Sequence, residues 1–442
     1  MYADDIIIMS KTENGLQSAL NSLGNYCHKW KFQVNFEKSK VMVFQKKRKE
    51  SHSYNFSLLN THISVAKEYK YLGIYVADSG KLMFDHLISK AAKAMFAIRK
   101  RISNIELLPK IQIYLFKTFA MPIILYASEV WGSCMIGPRC KSFISLFRKI
   151  VKSKIEKLYM TVARQILGVN KKTSHCAIRG EFGIYPIGFT IIENIFKYFI
   201  HSKQQNQNPL LREAFELNWK NNGFDCNIVK KICHLGNYNL PNDKQDVKHI
   251  ISEIKKLYED EWLNTLMKQS NNKLRTYNKS KYNFRFENYL NDIRNLKYRQ
   301  ALTRLRVSSH NLRIETGRFH KKNNYLPPKE RVCQMCDISE TEDESHFLLT
   351  CNLYSDIRKQ LWDSLEVHCP NFNQYLVSSK QHQLTYLLSS EGPICKSLGK
   401  YCYLAFRRRN EFIYETKLDE EYLQPATSRH GRKIKRPVRL DL

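Results

Sequence analysis

The 442-residue sequence lacks the features that would place it in a membrane or outside the cell. Its most apolar stretch, residues 119–131, is too short to span a bilayer, which requires about 20 residues, and it contains Glu129. No basic segment of the kind that begins a signal peptide is visible, since Asp4 and Asp5 stand in its place. The twelve cysteines are scattered, unlike those of small disulfide-rich scaffolds. We therefore expect an intracellular protein, nuclear or cytoplasmic, with mostly reduced thiols.

Acidic residues are scarce relative to basic ones. The chain carries 72 Lys and Arg residues against 41 Asp and Glu residues, which gives a net charge of +31 and a pI near 9.6. Such a charge attracts polyanions, because neutralised phosphates release their counterions. Nucleic acid is therefore the expected partner, and an anionic membrane surface is the alternative. Because 43% of the residues are apolar, we expect a folded chain of about two to four domains.

The spacing of apolar residues predicts an α+β protein that is mostly helical beyond residue 82. Thr12 is expected to cap a first helix that ends near Trp30. Strands are predicted, from apolar and β-branched runs, at residues 6–9, 41–44 and 69–76. Further helices are predicted at residues 84–91, 111–126, 146–167, 187–201 and 247–267. Pro122 should bend the second of these helices and Gly168 should end the third.

Two adjacent carboxylates, Asp4 and Asp5, follow Tyr2 and precede the apolar run at residues 6–9. If these two residues lie at the turn of a β-hairpin, both side chains can reach the same edge of that hairpin. Close carboxylates repel each other unless they share a cation, and Mg²⁺ prefers oxygen ligands of this kind. Taken alone, the pair favours an ordinary solvated turn. Its interpretation therefore depends on the motifs that follow.

Five motifs in this order resemble the reverse transcriptases of non-LTR, LINE-type retrotransposons. They are the Tyr-Ala-Asp-Asp turn and the segments at residues 30–44, 71–73, 125–132 and 164–169. The resemblance implies that Asp4 and Asp5 are catalytic and bind Mg²⁺, and that the chain acts on an RNA template and a DNA target or primer. It implies nucleotide or primer binding for Tyr2, Asn35, Lys38, Lys40, Tyr71, Leu72 and Gly73.

Several of these residues also have simpler interpretations. Lys38 and Lys40 can lie on a solvated strand edge, and Tyr71 and Leu72 can belong to a core. Asn35 is expected to fix a local turn through a hydrogen bond from its side chain to the backbone.

The family's palm uses a further carboxylate, and its fingers close on the nucleotide; both lie upstream of the acidic turn. We therefore expect that residues 1–442 alone do not polymerise DNA, and that they come from a truncated or mis-started element copy. A non-catalytic nucleic-acid-binding protein and a functionless element relic are the alternatives.

A zinc site is predicted near the C-terminus. Cys333, Cys336, His346 and Cys351 follow the pattern Cys-x2-Cys-x9-His-x4-Cys, which supplies four soft ligands and suits a closed, structural Zn²⁺ site. Non-LTR elements place a similar knuckle near the end of their reading frame. Unpaired buried thiols are the alternative. The acidic residues between the ligands are expected to form an exposed loop.

Basic residues precede this knuckle at helical spacing. We expect five of them to contact a nucleic-acid backbone, namely Arg299, Arg304, Arg306, Arg313 and Arg318. The alternative is that these arginines form a solvated basic face. The basic tail at residues 432–437 has three interpretations, a nuclear-import signal, a phosphate clamp or a disordered end.

These patterns divide the chain into six segments. They are a partial palm at 1–80, a helical thumb-like region at 81–202, an Asn- and Gln-rich linker at 203–245, a basic helical region at 246–325, a zinc-knuckle segment at 326–360, and a C-terminal helical segment with the basic tail at 361–442.

Overall fold

The computed structural model describes residues 5–44, 54–79, 82–102, 105–136, 140–205, 208–268, 272–319 and 326–423. Within these ranges the chain is mostly helical, with two small antiparallel sheets near its N-terminus. The α+β class is confirmed at this level.

The N-terminal layer, residues 5–44 and 54–63, holds one helix and one small sheet. Helix α1 (Glu13–Trp30) begins where the Thr12 side chain accepts a hydrogen bond from the Gly15 amide at 3.1 Å, so the predicted cap is confirmed. Strands β1 (Phe56–Leu58) and β2 (Thr61–Ile63) pair antiparallel against it. The core of this layer is small and consists of Leu20, Val41, Phe56, Leu58 and Ile63.

Two of the predicted strands are wrong. Residues 6–9 are irregular, and Ile6, Ile7 and Met9 are 52%, 51% and 90% exposed. In residues 41–44, Val41 forms only an isolated parallel bridge with Val65. An apolar run becomes a strand only where another strand accepts its hydrogen bonds, and the run alone does not reveal that partner.

The predicted strand at residues 69–76 is a hairpin with its turn in the middle. Strands β3 (Glu68–Tyr71) and β4 (Ile74–Ala77) pair antiparallel, and β5 (Leu82–Met83) adds to β4. The turn residues Leu72 and Gly73 have φ values of 44° and 85°. A Cβ on Gly73 would lie 3.0 Å from the Tyr126 ring, so the close approach of that ring also favours glycine.

Nine helices and one π-helical turn form the first part of the helical body. Their bounds are α2 (Asp85–Arg101), α3 (Pro109–Leu115), the π turn (Phe116–Ala120), α4 (Met121–Leu125), α5 (Ser128–Ile136), α6 (Phe143–Val151), α7 (Lys154–Leu167), α8 (His175–Phe182), α9 (Ile187–Lys203), followed by α10 (Pro209–Lys220). The π turn ends at Ala120, two residues before Pro122, and interrupts the regular α-helix, although the helical segment continues to Leu125. Gly168, at φ 67°, ends α7 as predicted. The helix predicted at 146–167 is interrupted before α7, where Ser153 caps a new start.

The predicted linker at residues 203–245 is wrong. Helix α10 and helix α11 (Phe224–Gly236) occupy most of it. Three α11 side chains at helical spacing, Cys226, Val229 and Ile232, are buried in the main core. The Asn- and Gln-rich composition suggested a linker, but asparagines also cap and end helices. The Asn208 side chain accepts a hydrogen bond from the Leu211 backbone amide, and Asn237 ends α11 at φ 52°.

Beyond α12 (Lys244–Met267) lies the C-terminal body, residues 272–319 and 326–423. Its helices are α13 (Tyr277–Ser280), α14 (Tyr289–Asp292), α15 (Leu296–Arg306), α16 (Arg313–Thr316), α17 (Ser355–His368), α18 (Phe372–Val377), α19 (Lys380–Ser389) and α20 (Gly392–Leu423). Helices α15 and α17 both pack on α20. One continuous core joins this body to the helices before it.

Among the described helices, none is by itself long and apolar enough to cross a membrane. Two consecutive segments, Pro109–Leu125 and Ser128–Ile136, reach the required length and apolarity only when taken together, and they meet at an angle of 84°.

Candidate metal centre

The predicted zinc ligands lie together in the C-terminal body. The ligand atoms of Cys333, Cys336, His346 and Cys351 are all within 4.8 Å of one another. The Sγ atom of Cys336 lies 3.3 Å from Nε2 of His346. Three of the four side chains are buried, and Cys336 is half-buried. Within the described ranges, this is the group of Cys, His and acidic side chains whose geometry suits a metal ion.

Two local structures bring these ligands together. A short antiparallel ladder joins Val332 to Thr341, and the Cys333 amide donates to the Glu340 carbonyl at 2.8 Å. The chain between them turns back, with Ser339 at φ 54°. A π-helical turn then runs from His346 to Thr350, and the Cys351 amide donates to the His346 carbonyl at 2.9 Å. This wide turn closes the five-residue spacing of His346 and Cys351.

A carboxylate holds the outer side of the histidine ring. Glu340 Oε2 lies 3.1 Å from His346 Nδ1, and it also accepts from the Thr350 hydroxyl at 3.0 Å. Lys380 donates to the other oxygen of Glu340 at 3.0 Å. The hydrogen bond from Lys380, followed by that from His346, lowers the pKa of Glu340 to about 2. A charged acceptor at Nδ1 fixes the ring so that Nε2 faces the thiols, as is typical of metal-bound histidines.

The donor set fits zinc. Three sulfurs and one imidazole nitrogen can form a closed tetrahedral set of ligands. With metal–sulfur bonds of about 2.3 Å, two ligand atoms of such a tetrahedron lie about 3.8 Å apart, and the ligand atoms here all lie within 4.8 Å of one another. The hydrogen bond with Cys351, then burial, raises the pKa of the Cys333 thiol to about 12, and the same hydrogen bond lowers the pKa of Cys351. Because four protein ligands leave no open position, the arrangement suits a structural ion.

The prediction that the acidic residues between the ligands form an exposed loop is wrong for Glu342 and Glu344, although Asp337 is exposed. Glu344 is buried and accepts from the Arg275 guanidinium at 2.7 and 2.8 Å, from His310 Nε2 at 2.9 Å and from the Thr276 hydroxyl at 3.0 Å. Every oxygen of the carboxylate is therefore satisfied, as a buried charge requires.

Glu342 anchors the knuckle to α20. Its carboxylate accepts from Arg409 at 2.6 and 2.9 Å and from the Arg313 amide at 2.8 Å. The knuckle is thereby joined to helices that lie far from it in the sequence. Sequence analysis missed these contacts because no local spacing relates Glu342 to Arg409.

Two of the five arginines predicted to contact nucleic acid are buried, and that prediction is wrong for them. Arg306 pairs with Glu181 at 3.1 Å and with Glu287 at 2.7 Å. Arg299 donates to the carbonyl of Ile293 at 2.7 Å. Their side chains stabilise the interior and cannot reach a phosphate backbone.

The other three arginines keep some exposure. Arg304 is exposed, and its Nε donates to the Gly168 carbonyl at 2.7 Å. Arg313 is half-buried, and half-buried Arg318 pairs with Glu315 at 3.1 Å. The basic tail at 432–437 lies outside the described residues.

The residues predicted to form a polymerase site lie in the N-terminal layer and the hairpin. Tyr2 and Asp4 lie outside the described residues, and Asp5 is exposed. Asn35 Oδ1 accepts from the Lys38 amide at 3.1 Å, which confirms the predicted local turn. Lys40 donates to the Ser64 hydroxyl at 2.8 Å.

The two predicted primer- and nucleotide-binding motifs are neighbours. The Tyr69 hydroxyl, on β3, donates to the Lys38 carbonyl at 2.9 Å. Of the motif residues, Tyr71 ends β3, and Leu72 and Gly73 form the hairpin turn. Tyr71 and Gly73 are half-buried and Leu72 is exposed, so none of them is a core residue.

Two comparisons found similarity between parts of this chain and known proteins. Residues 1–76 match the family described as reverse transcriptase (RNA-dependent DNA polymerase). The chain is also similar to a transposon-derived protein of Caenorhabditis elegans, with 23% identity over 169 residues, which cover 38% of this chain and 56% of the relative. The chain thus spans about half the length of this curated relative. No solved structure matches the chain. The candidate metal centre lies outside the matched residues 1–76.

Proposed function

We propose that this chain, whose first 76 residues match the reverse transcriptase family, is the C-terminal part of a non-LTR retrotransposon enzyme. In this proposal its C-terminal body binds nucleic acid and is stabilised by zinc. In this proposal residues 1–80 belong to the polymerase palm, and the helices at residues 81–202 belong to a thumb-like region. RNA template and DNA primer are the proposed ligands, since the family acts on both.

The observation that carries the proposal is the Cys–Cys–His–Cys cluster, with four ligand atoms within 4.8 Å and a carboxylate behind the histidine. The net charge of +31 supports the choice of ligand, because a polyanion gains affinity from counterion release. The exposed Arg304 and the half-buried Arg313 remain the proposed backbone contacts of the basic helical region.

Binding to single-stranded RNA tests this proposal. Fluorescence anisotropy with a labelled oligonucleotide, repeated from 50 to 200 mM salt, should give an affinity that falls linearly on a log–log plot, with a slope of about −0.7 per neutralised phosphate. Sequence changes in the oligonucleotide should matter little. An affinity that stays flat over this salt range would contradict the proposal.

The family match favours a second role, Mg²⁺-dependent DNA synthesis at Asp4 and Asp5. In-line phosphoryl transfer needs two ions held in fixed geometry, and two adjacent carboxylates alone provide few ligands for them. Within the described ranges, Asp5 belongs to no group of three or more candidate metal ligands. We propose that residues 1–442 alone do not extend a primer.

A primer-extension assay on an RNA template with Mg²⁺ tests this second proposal. We expect the wild-type chain and the Asp5→Ala variant to give the same background. Extension by the wild-type chain that disappears in Asp5→Ala would show that residues 1–442 form a complete catalytic site.

A further inference from the structure

An open cleft of about 420 Å³ lies between the start of α15 and the first turns of α20. Arg294, Asn295 and Tyr298 line one wall, and Lys396 and Lys400 line the other. Lys396 and Lys400 are one helical turn apart and therefore point to the same side of α20. The volume of the cleft falls within the range of about 300–1,000 Å³ that is typical of small-ligand sites.

Backbone packing makes the wall of this cleft rigid. Gly399 lets α20 approach closely, since a Cβ there would lie 3.2 Å from the Tyr298 carbonyl. The Asn295 side chain caps α15 by accepting from the Lys297 and Tyr298 amides at 3.0 and 3.2 Å. The buried Arg299 holds the preceding turn by donating to the carbonyls of Ile293 and Arg294. The wall is therefore fixed before any ligand arrives.

The charges in the cleft favour an anion. Arg294, Lys396 and Lys400 are exposed, and within the described ranges no ion pair joins any of them to a carboxylate. Lys400 contacts only a neutral partner, Gln360, at 3.3 Å. The lining contains one carboxylate, Asp292, which accepts from the Gly392 amide at 3.3 Å. Three cations against one carboxylate leave an excess of positive charge within one concave surface.

We propose that this cleft binds the phosphate group of a nucleotide. Lys396, Lys400 and Arg294 contact the phosphate oxygens, and the Tyr298 ring lies against the sugar or base. The same chemistry can come from a nucleotide unit within a single strand or from a free nucleotide. The proposal rests on the proposed nucleic-acid-binding function, and it locates one binding site within the C-terminal body.

A matched pair of double variants tests the cleft. Lys396→Ala with Lys400→Ala removes its two lysines. Lys244→Ala with Lys248→Ala removes two exposed lysines at the same spacing on α12, outside the cleft. Both variants lower the net charge of the chain equally, so a loss confined to the first pair cannot come from overall charge. Circular dichroism and thermal unfolding should match the wild type for both.

Anisotropy with a short single-stranded oligonucleotide gives the readout. We expect the cleft pair to weaken binding about tenfold and to reduce the salt slope by about 1.4, from two phosphate contacts at about 0.7 each. The α12 pair should weaken binding by less than about threefold. Equal losses in both pairs, or no loss in either, would overturn the proposal.

Two competition arms identify the source of the phosphate. Displacement of the oligonucleotide by a millimolar nucleoside monophosphate indicates a free-nucleotide site, whereas displacement by oligonucleotides alone indicates a strand site; both agree with the proposal. Equally strong displacement by polyglutamate would overturn it in favour of an acidic peptide. If the wild-type chain binds no oligonucleotide at all, the proposed function fails as well, whereas binding that ignores the cleft pair refutes only this inference.

Discussion

The N-terminal layer and the C-terminal body differ in how they are held together. The N-terminal layer has a buried core of five apolar residues and leaves Ile6, Ile7 and Met9 exposed. The C-terminal body shares a continuous core with the preceding helices and buries whole ion pairs, including Arg409 with Glu342. The layer nevertheless lies within the region that matches a family, and the body does not.

The part of the chain that matches a family is therefore not the part that has the large core. The N-terminal motifs sit on turns and loops, where binding and catalytic residues are often found. The body is instead specified by contacts between distant residues, and a buried charge there is stabilising only while its partner remains. The two regions should therefore respond differently to substitution.

The largest expected effect is the loss of Arg306. Arg306→Met leaves the buried carboxylate of Glu181 and the half-buried carboxylate of Glu287 without their shared partner, so we expect a destabilisation of about 3–5 kcal/mol in chemical unfolding. Arg304→Met, on the same helix, removes an exposed guanidinium and should cost about 1 kcal/mol. Equal costs for the two variants would erase the contrast between buried and surface charges.

Acid should weaken the C-terminal body through Glu287. Burial raises the pKa of this carboxyl, but the charges of Arg306 and Lys281 lower it by more, so its pKa lies below the usual value. Burial also lowers the pKa of Lys281. A carboxyl whose pKa is lower in the folded state stabilises the fold at pH values above its unfolded pKa of about 4.3. This contribution is lost as the pH falls from that value through the lower pKa of the folded state. We expect the difference in unfolding free energy between wild type and Glu287→Gln to shrink from pH 7 to pH 3. A difference that does not change with pH would rule out this ion pair as the cause.

The smallest expected effect lies in the N-terminal layer. Thr12→Ala removes the cap of α1 and should cost about 1 kcal/mol locally, whereas Thr12→Ser keeps the oxygen and should cost little. Hydrogen exchange should quicken in α1 and stay unchanged in the C-terminal body, because the small core of the layer is separate from the main core. Faster exchange in both regions would show that they unfold as one unit.

Local features could be predicted from the sequence. The cap at Thr12 and the end of α7 at Gly168 depend on a few neighbouring residues, and both are confirmed. The cluster of Cys333, Cys336, His346 and Cys351 was also predicted from its spacing, and the structure brings these four side chains together.

Features that depend on distant partners could not be predicted. Arg306 looked like a surface residue of a basic helix until Glu181, 125 residues away in the chain, was placed beside it. Glu344 looked like part of an acidic loop, although Arg275 lies against it. Charge in a sequence does not distinguish a solvated residue from a buried pair, because both use the same side chains.

The zinc content of the purified chain tests the account most directly. Elemental analysis should give about one zinc ion per chain, and Cys333→Ser with Cys336→Ser should remove it and quicken hydrogen exchange in the C-terminal body while α1 stays unchanged. Cys134→Ser, at an exposed cysteine outside the cluster, should keep the zinc. A zinc content well below one ion per chain that the double substitution leaves unchanged would contradict the account.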